Sequence, residues 1–175
     1  MNDNLEFENY YEEAKYKLVF RLSLALCCTL PVLVVLYFFN DNTPLYPSLI
    51  ALIFAIVSII LLKKRKVHKQ ISIIWSLIAL VLNVFSVLFI KDVYHFADAF
   101  WMVGAVLFTY FTLGSKFGIF VLIVNILTLI YFVIFQLESN ITSLQSQTNI
   151  DLIGLAINVA IGGFITGFLI NEFIK

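Results

Sequence analysis

The chain has 175 residues, 62% of them hydrophobic and 13% charged, and its eleven basic and eleven acidic residues give a formal net charge of zero. Soluble domains carry about 25% charged residues, so the composition excludes a soluble globular enzyme and places the chain in a bilayer. The charge balance names no partner, but the order of the charges along the chain carries information.

Six apolar stretches, 18–39, 45–62, 70–90, 96–113, 117–137 and 151–174, each approach the ~20 residues that cross a ~30 Å hydrocarbon core as a helix. The expected fold class is all-α: a polytopic membrane protein with six transmembrane helices. Residues 1–17 form a cytoplasmic or interfacial segment and 18–175 the bundle. None of the polar pieces between spans is long enough to bury a core, since folded units below about 40 residues usually need disulfides, metals or partners.

The first segment carries five acids and the aromatics Phe7, Tyr10, Tyr11 and Tyr16. It reads equally as a short interfacial helix or as a solvated tail. Cys27 and Cys28 are sequence neighbours inside the first span and point in different directions on a helix, which makes them apolar fillers. No Cys or His cluster has metal-ligand spacing. The span follows a long polar start and lacks a small-residue cleavage pattern, so it reads as an anchor rather than a signal peptide. Pro31 removes a backbone donor and predicts a kink. Residues 40–44 turn the chain, and Pro47 suits the first turn of the second helix.

The run Lys63-Lys64-Arg65-Lys66-Val67-His68-Lys69 lies between two spans. There it serves as a clamp on anionic headgroups, at ~1 kcal/mol per basic residue, rather than as a nucleic-acid site. With Lys15, Lys17, Arg21, Lys116 and Lys175 it places ten of the eleven positive charges on one side of the membrane, against Lys91 alone on the other. Both ends are therefore expected in the cytoplasm. Tyr37, Tyr46, Trp101 and Tyr131 fall at the outer rim of this layout, and Trp75 and Tyr110 near the inner one, as aromatic belts do.

Beyond Lys91, Asp92, His95 and Asp98 recur every three residues and lead to Trp101. On an early-starting fourth helix they share a face and form a candidate stimulus-sensing rim, because His titrates near neutrality. The same charges also suit a hydrated loop. Gly114-Ser115-Lys116 forces an antiparallel hairpin of adjacent helices. The outer loop 138–150 is polar, and its Asn140-Ile141-Thr142 match to a glycosylation acceptor is short enough to arise by chance.

In the sixth span Ala156, Ala160, Gly163 and Gly167 recur at spacings of four, three and four, and Ile170 and Ile174 continue the register. Small residues permit the close approach on which helix association in lipid depends. The stripe is a candidate dimer and signal seam, and packing within the same bundle is the other reading. The chain reaches residue 175 without a helix-stopping Gly or Pro, which is expected of a helix that continues into a cytoplasmic extension. At membrane depth Asn83, Asn125 and Asn158 are expected to join helices by hydrogen bonds, and Ser76, Ser86, Thr109 and Thr128 to bond their own backbone or a neighbour. No acid, His or Lys lies there to relay protons, and no nucleophile with a base.

The runs Phe96-Ala97-Asp98-Ala99-Phe100-Trp101 and Leu107-Phe108-Thr109-Tyr110-Phe111-Thr112-Leu113-Gly114-Ser115-Lys116-Phe117-Gly118 are followed by Asn125 and Tyr131. Over residues 96–136 this pattern resembles the N-terminal membrane module of bacterial sensor histidine kinases. The resemblance implies a six-helix input domain, followed by a helical linker and by phosphoaccepting and ATP-binding domains.

Neither His68 nor His95 matches a phosphoacceptor motif, and no nucleotide-binding segment occurs, so no catalytic residue carries over. The expected function is that of a sensory input domain of a two-component system. It has no enzyme activity or cofactor of its own, sits in the inner membrane among anionic lipids, and forms a homodimer acting on kinase domains in cis through the sixth helix. The alternative is a small six-helix transport component, such as a substrate-capture subunit of a vitamin uptake system.

Overall fold

The computed structural model describes residues 3–40, 45–63, 67–90, 95–138 and 149–174. The chain is all-helical, with α1 (Asp3–Asn40), α2 (Leu45–Leu62), α3 (His68–Phe89), α4 (Phe96–Leu113), α5 (Ser115–Phe135) and α6 (Asn149–Ile174). Five of these, all but α4, are long and apolar enough to cross a membrane; α4 is apolar over the shorter run Ala97–Leu113.

The first helix begins far ahead of the apolar stretch that starts at residue 18. Its leading charges support the helix instead of ending it. Lys15 pairs with Glu12 at 2.8 Å and Lys17 with Glu13 at 3.0 Å, at the three- and four-residue spacings that place side chains side by side. The Lys15 ammonium also lies 4.3 Å from the centre of the Tyr11 ring. No separate N-terminal helix is found: α1 runs as one helix from Asp3, and through Pro31.

Unlike a water-soluble protein, the bundle carries large apolar side chains on its outside as well as in its core. Large apolar groups such as Phe39, Ile53, Val81, Leu127 and Ile134 point outward on every face, whereas Ser23, Ser58, Ser72, Ser76, Asn83, Thr109, Thr112, Asn125, Thr128 and Thr166 are buried. A helix in hydrocarbon gains nothing by hiding a leucine but must satisfy each hydroxyl and amide. Ser23, Thr29, Ser72, Thr112 and Thr128 accordingly donate to the carbonyl four residues back. Thr109 does the same to Ala105 at 2.7 Å, and its hydroxyl lies 3.0 Å from that of Ser76 across the α3–α4 contact.

α1 packs on α2 and α6, and α4 packs on α3, α5 and α6. The main apolar cluster joins Leu22, Leu26, Leu30 and Leu33 of α1 to Ala51 and Ala55 of α2, Trp75 of α3, Phe108 of α4 and Leu169 of α6. Two smaller clusters, around Leu80, Ala105 and Val121 and around Val87, Met102 and Phe132, hold α5 against α3 and α4.

Gly114 alone separates α4 from α5, with φ 91° and ψ 176°. That region of backbone space is accessible essentially only to glycine. Gly118 does a different job: a Cβ there would lie 2.1 Å from the Tyr110 ring, so its bare backbone seats the tyrosine across the hairpin. Gly114→Ala is expected to cost about 1–3 kcal/mol, read as a lowered unfolding midpoint in detergent.

Candidate functional site

At the end of the bundle where α3 and α5 finish and α4 begins, His95 precedes the first turn of α4 and Asp98 lies in that turn. His95 Nδ1 sits 2.8 Å from Asp98 Oδ2, and the Ser86 hydroxyl of α3 donates to the same carboxylate, 3.1 Å from each oxygen. A carboxylate in the first turn is also favoured by the helix dipole. The His95 side chain is only 5% exposed and that of Asp98 13%, and the imidazole meets the Phe132 ring edge-on at 4.8 Å. The pair is therefore packed into the bundle, not laid out in a hydrated loop. Asp92, the third member of the expected rim, lies outside the described residues.

Trp101, one helical turn further on, extends this polar site into α6. Its Nε1 donates to Asn158 Oδ1 at 2.8 Å, and Asn158 Nδ2 donates to the Tyr37 hydroxyl at 3.0 Å. Asn158 thus ties α4 to α1 through α6. Close approach makes this possible: a Cβ on Gly162 would lie 3.1 Å from Phe100 Cβ and 3.3 Å from Trp101 Nε1. Thr166 adds a bond to the Phe100 carbonyl at 2.9 Å.

These groups border a partly open cavity of about 180 Å³ lined by α1, α2, α3, α4 and α6. Tyr37, Ser48, Ser86, Asp98, Trp101 and Asn158 line its polar end, and Leu22, Leu26, Phe108 and Leu169 its depth. Trp75 and Asn83 of α3 also face it. Both are more than nine-tenths buried, and neither Trp75 Nε1 nor Asn83 Nδ2 has a hydrogen-bond partner among the described residues. Asn125 is buried with both amide atoms unpartnered among those residues. Of the three asparagines expected to join helices, Asn158 does so; the others leave amide groups unpaired. Both tryptophans and Tyr37 turn toward the cavity, while Tyr46 and Tyr131 stay exposed.

The sixth-helix stripe points away from the rest of the chain. Ala156 and Ala160 are exposed, Gly167 has no heavy atom within 4 Å of a built Cβ among the described residues, and Gly163 only just reaches the Phe100 ring at 4.0 Å. Ile170 and Ile174 are exposed as well. The face that packs on the bundle is a second small-residue stripe, Gly154, Asn158 and Gly162 at spacings of four, with Leu36 of α1 seated against Gly154. Equal spacing of small residues on both faces hid the inner stripe. Ser72, Ser76, Asn83 and Ser86, which fall within about 80° of one another at 3.6 residues per turn, were the sequence signal for the polar wall of α3.

At the opposite end Arg21 of α1 pairs with Glu172 of α6, whose side chain is only 10% exposed. Glu12 Oε2 lies 2.9 Å from His68 Nε2 and accepts its hydrogen bond, linking α1 to α3. Lys63 and Lys69 are exposed beside this link, and Lys64, Arg65 and Lys66 lie outside the described residues. No protein-family model, curated protein or solved structure matches the chain.

Proposed function

We propose that this chain is the membrane-embedded sensory input domain of a two-component sensor histidine kinase. In this reading six helices cross the membrane with both ends in the cytoplasm, and a signal passes through α6 to a cytoplasmic output domain. Eighteen residues of α4 at 1.5 Å each extend about 27 Å, close to the ~30 Å core, which supports counting it as the sixth span. The observation that carries the reading is the double attachment of α6. Its outer end is held by Trp101 and Tyr37 through Asn158, its inner end by Arg21 through Glu172. A change at the Asp98–Trp101 rim thereby biases the tilt or register of α6, whose exposed Ala156–Gly167 stripe meets the same stripe of a second copy. Two discrete settings of one helix are what such transfer requires.

The cavity favours the second reading, a small transport component that captures a substrate. The two part on α6: a sensor changes its α6 contact when stimulated, and a capture subunit does not. Single cysteines at positions 160 and 167, in a background lacking Cys27 and Cys28, are expected to cross-link between copies in native membranes. A cysteine at position 66 is expected to be labelled from the cytosolic side only. Labelling from the outside, or no cross-link at either position, would refute the proposal. A reading frame that joins this chain to phosphoaccepting and ATP-binding domains is the corresponding genetic expectation.

A further inference from the structure

We propose that the cavity binds a small, neutral amphipathic molecule of the size and kind of an aromatic alcohol. Its apolar body lies against Leu26, Leu30 and Phe108, and its hydroxyl lies between Asn83 and Asp98. Binding stands apart from the sensor reading; only its role as the stimulus rests on that reading.

Volume sets the scale. The cavity measures about 180 Å³, and an apolar protein cavity of about 150 Å³ accepts benzene. A single ring bearing a short polar arm fits this space. The depth is leucine and phenylalanine, so a charged body is excluded by desolvation.

Two polar groups select the head. The Asn83 side chain lines the cavity, and its Nδ2, covered in this geometry, is a donor without a partner among the described residues; a turn of the amide presents it to an acceptor, and an unmade buried bond favours that turn. The Asp98 carboxylate accepts from Ser86 and His95, and an ionised carboxylate offers about four lone-pair sites, so acceptor capacity is left. Asn83 and Ser86 are three residues apart on α3 and therefore neighbours, about 4.5 Å along the axis. Asn83 therefore lies on the same wall as the Ser86–Asp98 contact, where one small polar group of a ligand can serve both. A neutral hydroxyl, acceptor and donor at once, is such a group. Trp75 Nε1 adds a second unpartnered donor, among the described residues, deeper in the same wall.

The chain's two tryptophans, Trp75 and Trp101, both line the cavity, so their fluorescence reports occupancy. The full chain in phosphatidylcholine nanodiscs would be titrated with 4-bromobenzyl alcohol and with 4-bromotoluene, whose bromine quenches tryptophan on contact. Saturable quenching is expected for both, with the alcohol binding about tenfold more tightly. Asn83→Leu should bring the two probes to equal affinity and raise the unfolding midpoint, because it removes the unpaired donor. Ala79→Phe, on the cavity wall, should abolish saturation. A linear quench of the same slope in wild type and Ala79→Phe would overturn the proposal, as would equal affinities for the two probes in wild type. Saturable, hydroxyl-selective quenching that leaves the cross-link rate at position 160 unchanged would uphold the site and count against its role in signalling.

Discussion

Replacing Asp98 by alanine is expected to destabilise the protein by about 3 kcal/mol, the scale of losing one partner of a buried pair. The carboxylate is the common acceptor of His95 and Ser86, which come from two different elements. Removing it strands the imidazole, whose Nε2 already has no partner among the described residues. It also frees the end of α3 from the start of α4. Asp98→Asn keeps one acceptor oxygen, which can still accept from both His95 and Ser86 as Oδ2 does here, but without the charge that strengthens those bonds, and should fall between wild type and alanine. Thermal unfolding in detergent, monitored by circular dichroism, ranks the three. An alanine variant as stable as wild type would mean that the pair is not a strut of the bundle.

Isoleucine at adjacent glycines of α6 should produce opposite results. At Gly162 even the Cβ meets Phe100 and Trp101. Gly162→Ile therefore pushes α6 off α4, breaks the Trp101–Asn158 bond, and costs about 1–3 kcal/mol of overpacking. At Gly163 the nearest side chain is 4.0 Å away. Gly163→Ile should leave the fold within about 0.5 kcal/mol of wild type. It should also lower the rate of cross-linking between copies by about tenfold, because the added bulk stands in the proposed seam. Unfolding midpoints and cysteine cross-linking of the same two variants separate the inner face of α6 from the outer one. Equal cross-linking in wild type and Gly163→Ile would remove the seam from the proposal.

The parts of the fold legible in the sequence are those that lipid enforces. A bilayer requires each backbone donor to be satisfied within its own helix, so the apolar stretches 45–62 and 96–113 coincide with α2 and α4. The start of α1 was not legible, because hydropathy ends at the first charges, whereas Glu12 with Lys15 and Glu13 with Lys17 continue the helix. The α4–α5 hairpin could be read from three residues, but its break is Gly114 alone, since Ser115 and Lys116 already belong to α5.

At the candidate site, the three-residue spacing correctly put His95 and Asp98 on one face. Their burial depends on Ser86 and Phe132, which come from other helices, and the polar stripe that holds Ser86 on α3 does not say which helix it faces. Asn158 stands out as polar in lipid, but its partners Trp101 and Tyr37 are legible only as lying near the outer ends of their spans. An indole faces headgroups or a buried amide with equal chemical ease, and only the packing of α6 at Gly162 decides between them.

The one-residue junction at Gly114 also has a mechanical consequence. A longer linker would let α4 twist about its own axis while α5 stayed still. With Tyr110 seated on Gly118, the two helices are joined both by the chain and by side-chain packing. A displacement of the first turn of α4 would then carry α5 with it and press on the α3 and α6 contacts.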